Sequence, residues 1–225
     1  DPPGEVLDDW LARHPAAAIK LAPAANVPAS WRQRAECEWI SRGGECRQLV
    51  TWFGDLASRP GGSVATILAT SEARRQVTGD PDAPLAWAEK IGRYVYEPDA
   101  AVLAAHLSGA LAAELGLAGI DRETAYLTSD RPVIDAAVAG FEVLAVLPFQ
   151  LKVLRAYVRQ HQFGHVEVKK RGVNCDPLAL QKQLRGAGSE RGVVLITRHR
   201  AKSIAIVARR FGLASAAADT VQPPD

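Results

Sequence analysis

The 225-residue chain has no methionine, three cysteines and no run of eighteen apolar residues, and each shortage narrows what the protein can be. Without methionine the sequence cannot start at its own initiator: either its first residue was removed by processing or, the expectation here, it is the downstream part of a longer polypeptide. The cysteines, Cys37, Cys46 and Cys175, are odd in number and lie outside any CxxC spacing. That pattern argues against a disulfide framework or zinc site and for a reducing cytoplasm. No stretch is long and apolar enough to read as a membrane-spanning helix, and DPPGEVLDDW lacks both regions of a secretory signal, so no membrane partner is expected. His14, His106, His161, His165 and His199 form no HxxxH or HxH group, and no metal site is expected.

Catalytic signatures are missing as well. GxSxG, GxxxxGK[ST], HExxH and GxGxxG do not occur. The pairs Asp8/Asp9 and Glu36/Glu38 read as solvated faces rather than as an acid and a base, because nothing near them in sequence tunes one carboxyl against the other. The chain carries no readable active site, and no catalytic residue is assigned.

What is present is apolar content and an uneven charge. The apolar fraction of 48% is ample for packed cores, in one large domain or two small ones. Residues 141–225 carry 14 lysines and arginines against 6 acids, a net of +8 in a chain whose total is +2, which leaves −6 for the rest. Such a split points to a basic C-terminal module facing a polyanion; a merely solvated cationic surface explains the charge equally well.

Along the chain, EVLDDWLAR has helical spacing and AAAIKLAP is a short apolar run stopped by Pro23. AECEWIS, CRQLVTWFG and SVATIL read as strands separated by glycine-bearing turns, like the end of a sheet that began upstream. Residues 71–90, broken at GDPDAP, read as a loop or linker. One helix is expected after Asp99 as its cap, with Leu103, Leu107, Leu111 and Leu115 on a core face and Gly116 at the stop. From residue 141 the pattern is βαβαββ. FEVLAVL ends at Pro148. LKVLRAYVRQH places Lys152, Arg155 and Arg159 on one side. HVEVKK alternates, and the following helix has Asp176 as N-cap, Pro177 in its first turn and Gly186 past its end. VVLIT and SIAIVA form a hairpin across RHRAK.

YEPDAAVL, AYLTSDRPV, FEVLAVLPFQLKVLRAYVR and VEVKKRGVNCDPLALQKQLR, in this order, resemble a bacterial family of class I SAM-dependent methyltransferases with a C-terminal THUMP-like domain. The resemblance covers nearly the whole chain and implies a mixed α/β and α+β fold. Residues 1–70 would be the end of a Rossmann-like methyltransferase sheet, and 71–140 a linker with a helical or ferredoxin-like connecting segment. Residues 141–211 would be the THUMP-like domain, and 212–225 a disordered tail. It also implies SAM as cofactor, bound by an upstream part, since the glycine-rich SAM loop and the acidic ribose ligand have no counterpart here. Asp1-Pro2-Pro3 looks like the acidic-Pro-Pro motif of some nucleic-acid methyltransferases, but Gly4 stands where an aromatic residue is usual, and it is read as a loop.

Two functions follow. In the first, the basic module binds structured RNA, ribosomal or transfer, through Lys152, Arg155, Arg159, Lys169, Lys170, Arg171, Arg198, Arg200 and Lys202, with salt-dependent phosphate contacts. Strand alternation puts Lys169 and Arg171 on one face and Lys170 on the other, so Lys169 and Arg171 are expected to share a surface with Arg155 and Arg159. Tyr157 is a candidate base platform or a core-boundary residue. In the second, the chain is a non-catalytic interaction or structural module that packs on its catalytic domain without RNA, pairing its cations with acids of the −6 portion.

Overall fold

The computed structural model describes residues 4–68 and 74–212. The Asp1-Pro2-Pro3 loop and the tail from residue 213 lie outside the described residues. The chain forms two compact units, Asp1–Pro84 with Asp99–Glu114, and Leu85–Pro98 with Leu115–Asp225. This interleaving differs from the expected contiguous division at 70/71 and 140/141. Leu85–Pro98 supplies a strand to the C-terminal sheet, whereas the helices behind Asp99 belong to the first unit. No helix among the described residues is long and apolar enough to cross a membrane.

The first unit opens with α1 (Gly4–Arg13), β1 (Ala17–Leu21) and a single turn, α2 (Ala29–Arg32). Then come β2 (Glu36–Arg42), β3 (Glu45–Phe53), β4 (Ser63–Leu68) and β5 (Arg74–Gly79), in sheet order β1-β3-β2-β4-β5. Strands β1, β2 and β4 run parallel to one another, with β3 and β5 antiparallel to their neighbours. The three strands expected between residues 35 and 68 are all present. Gly43 and Gly44, at φ +63° and +78°, supply the left-handed pair that closes the β2–β3 hairpin. Within the stretch expected to be linker, β5 is a strand. It escapes a hydrophobicity reading because Val77 is its one buried apolar residue, and polar side chains suit an edge strand.

The helix expected behind Asp99 is two helices, α3 (Ala100–Ala104) and α4 (Ser108–Leu115). Asp99 caps the first by accepting from Ala101 N at 2.8 Å. His106 then adopts φ +58°, and the bonds Leu107 N to Val102 O and His106 N to Leu103 O make a C-cap of Schellman type. Leu107 and Leu111 are fully buried, and Gly116 at φ +65° stands at the stop, as expected.

The second unit is a seven-stranded sheet. Its strands are β6 (Tyr94–Pro98), β7 (Ala118–Gly119), β8 (Leu127–Ser129), β9 (Val138–Pro148), β10 (Phe163–Lys170), β11 (Glu190–His199) and β12 (Lys202–Phe211), ordered β10-β11-β12-β9-β6-β8-β7. Helices α5 (Leu151–Gln160) and α6 (Pro177–Leu184) complete the βαβαββ pattern expected from residue 141. β10 and β11 are parallel, joined through α6; the remaining pairs are antiparallel. Leu154, Val158, Leu180 and Leu184 of the helices pack on Val166, Val168, Val194, Ile196 and Val207. On the opposite face, Ile120 and Tyr126 pack with Val95, Phe141, Leu195 and Ile206.

Asp176 is the N-cap of α6, accepting from Leu178 N at 2.9 Å and Ala179 N at 3.2 Å, with Pro177 in the first turn. Asp176→Ala is therefore expected to cost about 1 kcal/mol, visible as a lower urea midpoint at unchanged slope.

Candidate nucleic-acid interface

Helix α5 buries Leu154 and Val158 and leaves Lys152, Arg155 and Arg159 exposed, because residues at i, i+3 and i+7 share the side opposite the apolar stripe. Helix α6 does the same: Leu180 and Leu184 are buried, while Lys182 and, at its C-cap, Arg185 are exposed. Neither helix contains an acidic residue. Arg155 Nε donates to Gln183 O at 3.0 Å, which ties the two helices together. Among the described residues no carboxylate pairs with Lys152, Arg155, Arg159, Lys182 or Arg185. The outer side of the helical layer is thus an acid-free cationic surface, which favours repeated phosphate contact over internal pairing.

The other expected cations are placed differently. Lys169 and Arg171 emerge on the face of the sheet opposite the helices, so they do not share a surface with Arg155 and Arg159; the sheet lies between. Lys169 Nζ donates to Glu97 Oε2 at 2.5 Å, and Arg171 Nη2 to Glu97 Oε1 at 3.0 Å. Glu97 is on β6 and Lys169 on β10, with β11, β12 and β9 between them in the sheet. In a flat sheet four strand spacings would separate them by roughly 19 Å, beyond the reach of these side chains. The sheet must therefore curl towards the face filled by Ile120 and Tyr126, and the Lys169–Glu97–Arg171 triad bridges the curl. Lys170, pointing the other way as the alternation requires, donates to Cys175 O at 2.7 Å.

Electrostatics support this assignment. Burial alone raises the Glu97 carboxyl, but the Lys169 ammonium, followed by the Arg171 guanidinium, outweighs it and holds the group below its ordinary value. The Tyr126 phenol beside them is pushed far up, first by burial and then by the Glu97 charge. On the same face Arg210 grips Glu167 through Nη2 at 2.8 Å to both carboxylate oxygens and covers the Phe141 ring at 5.0 Å.

At the β11–β12 hairpin, Arg198 pairs with Glu123 at 2.9 Å, and Arg200 Nη2 donates to Glu89 O at 2.8 Å. Lys202 is exposed beside them. Arg200 and Ala201, at φ +50° and +62°, form the two-residue turn expected from RHRAK. Tyr157 stacks on His161, with centroids 4.0 Å apart, and packs against the helix-side core, so it is a boundary residue rather than an open base platform. Of the nine expected cations, Lys152, Arg155, Arg159, Lys170, Arg200 and Lys202 are exposed and take no acidic partner among the described residues, Lys170 and Arg200 being tied to backbone carbonyls. Lys182 and Arg185 had been missed, although their i, i+3 spacing on an acid-free helix is the signal that finds them.

This βαβαββ unit and its helical layer match known proteins. Residues 138–210 match the THUMP domain-like family. Over 206 residues, 91% of the chain, the sequence is 34% identical to an uncharacterised S-adenosylmethionine-dependent methyltransferase of Mycobacterium tuberculosis, the same match arising in strains CDC 1551 and H37Rv. Over nearly its whole length the chain is thus homologous to these methyltransferases. A crystal structure of a Porphyromonas gingivalis W83 chain named as a methyltransferase shares the fold at a TM-score of 0.71 and 18% identity, over 86% of this chain and 50% of that one. The chain spans about half the length of these relatives, 55% of the mycobacterial ones and 50% of the Porphyromonas one.

The name of the mycobacterial relatives implies SAM for those proteins, and SAM is ordinarily held where a parallel strand runs through a glycine-rich turn into a helix. Among the described residues no strand of the five-stranded sheet does so. β1 leads into a proline-bounded loop and the single turn α2, β2 leads into a hairpin, and the Gly61-Gly62 turn leads into β4. The described residues do not form a SAM site.

Proposed function

We propose that this chain is the C-terminal part of a cytoplasmic bacterial SAM-dependent methyltransferase, and that its THUMP-like unit holds structured RNA, ribosomal or transfer, for methylation by an upstream catalytic part that binds SAM. The observation that carries the RNA assignment is the acid-free layer of Lys152, Arg155, Arg159, Lys182 and Arg185. The upstream part is supported by β1, which among the described residues pairs on one edge only, and by the length of the relatives. A strand with an open edge accepts a further strand. Lys169 and Arg171 act in this reading as braces of the sheet and not as RNA contacts.

A second reading, in which the chain only packs on its catalytic part, draws on a different observation. Val6 and Trp10, one turn apart on α1, are 55% and 39% exposed and suit a protein neighbour. The two readings separate on RNA retention: filter binding of a folded RNA stem at low and moderate salt should give a steep salt dependence under the first and no retention under the second.

A further inference from the structure

The two faces of the five-stranded sheet differ in kind. One is filled with Trp39, Leu49, Phe53, Ala65, Ile67 and Val77, all buried. The other, by strand alternation, carries Glu36, Glu38, Trp52, Thr66 and Gln76, brought side by side by the registers Glu36↔Trp52, Glu38↔Val64 and Thr66↔Gln76. Trp52 Nε1 donates to Glu38 Oε2 at 2.9 Å, Thr66 Oγ1 donates to Glu38 Oε1 at 2.5 Å, and Gln76 Nε2 donates to Thr66 Oγ1 at 3.1 Å. This relay runs across four adjacent strands and sets the Glu38 carboxylate in one orientation.

Beside it, Glu36 is only 9% exposed. Its Oε2 accepts the Arg59 backbone N–H at 2.5 Å, while its Oε1 takes no hydrogen bond among the described residues. Both carboxylates open onto a cavity of about 370 Å³, of a size that small-molecule sites occupy. Trp52, Leu56 and Val64 give it apolar walls, and Arg59 and Arg74 line it as well. The Glu36 Oε1 is open to the cavity, where the donor of a ligand can take the place of water.

These features restrict the ligand. Carboxylates offer acceptors only, so the occupant must bring N–H or O–H donors, preferably two neighbouring ones to match the two carboxylates. A bare amine or guanidinium meets that demand but is opposed by the two arginines, which instead favour an anionic group on the same molecule. Apolar walls favour a flat ring between the donors and the anion. Among nucleobases, guanine presents N1–H and the N2 amino group side by side, whereas adenine and cytosine alternate a donor with acceptors and uracil flanks its one donor with carbonyls. We propose that this cavity binds a guanosine 5′-phosphate unit, the guanine edge on Glu36 and Glu38 and the phosphate towards Arg59 and Arg74. The unit is either a free nucleotide or an unpaired guanosine of an RNA. The site belongs to the first unit and is independent of the cationic helical layer.

Isothermal titration of the 225-residue chain with GMP, IMP and AMP tests the assignment without mutation. GMP should bind about tenfold more tightly than IMP, which lacks the amino group, and about 100-fold more tightly than AMP. Glu36→Gln, which leaves the relay around Glu38 intact, should weaken GMP by about tenfold with an unchanged melting temperature, and Glu38→Gln should do so by more. Equal binding of GMP and AMP, no binding of GMP up to about 5 mM, or tighter binding of arginine amide than of GMP would each overturn it. Competition then identifies the source. A single-stranded oligoribonucleotide with one guanosine that displaces GMP, and fails to once annealed to its complement, points to RNA; failure of both strands while GMP binds points to the free nucleotide. Alanine substitution of the α5 and α6 cations leaves GMP affinity unchanged, so the fate of this site is separable from that of the RNA-binding layer.

Discussion

Glu97→Ala is expected to destabilise the C-terminal unit by about 2 kcal/mol and to loosen the curl of its sheet. Removing one partner of a buried ion pair costs roughly 3–5 kcal/mol, because the opposite charge is left behind in a poor solvent. Here Glu97 is 13% exposed, but Lys169 and Arg171 keep 28% and 39% of their side chains in water, so solvent relieves part of the penalty. Lys169→Ala and Arg171→Ala should each cost less than Glu97→Ala, since the remaining cation still serves the carboxylate, and a double-mutant cycle should give coupling of the same sign for both pairs. The pH dependence has a definite direction. The Glu97 carboxyl lies below its ordinary value in the folded chain, so its contribution is fully present above the ordinary carboxylate range and fades as pH falls through the folded value. The melting difference between the parent and Glu97→Gln should therefore be constant near neutrality and shrink below about pH 4. A constant difference down to about pH 3, or no difference at neutral pH, would remove the triad from the forces that hold the curl.

Replacing Lys152, Arg155, Arg159, Lys182 and Arg185 together by alanine is expected to weaken binding of a folded RNA stem by about 100-fold or more, with little change in stability. Five phosphate contacts on a duplex would contribute a slope of roughly −4.5 in log K against log salt, and the variant should lose most of that slope. The loss should be nearly the same for unrelated stems, because the layer offers charge and no free aromatic platform: Tyr157 is occupied with His161 and the core. Lys169→Ala, by contrast, should leave the salt slope unchanged in a folded protein, since its ammonium is already committed to Glu97. Parent-like binding and slope in the five-alanine variant would transfer the RNA assignment away from the helices, and the exposed Lys202 at the β11–β12 hairpin would be the next residue to test.

These expectations show where sequence reading works and where it stops. The βαβαββ order, the Asp99 and Asp176 caps, the Gly116 stop and the RHRAK turn were all legible, because each depends on contacts within a few residues or on a period of 2 or 3.6. The same holds for the amphipathic helices, whose cationic sides follow once the apolar stripe is placed. β5 was hidden because a polar edge strand carries no apolar alternation, and the break at His106 because an apolar stripe runs on through a C-cap without interruption.

The role of Lys169 and Arg171 could not be read in the same way. Strand alternation correctly put them together and opposite Lys170, and the run of three cations naturally suggested a phosphate contact. What decides their role is Glu97, more than seventy residues earlier in the chain and on a strand four removed in the sheet. The polar cavity of the first unit is of the same kind. Glu36 and Glu38 looked like a solvated face because a carboxylate pair two residues apart is usually just that; Trp52, Thr66 and Gln76, arriving from three other strands, turn it into a fixed acceptor set. The amino-acid sequence by itself determined the local elements, their caps and the positive charge of the C-terminal half, since these depend on neighbours along the chain. Tertiary structure alone decided which charges are neutralised and which remain free, because an ion pair depends on distance through space, and the sheet's pairing order and curl set that distance.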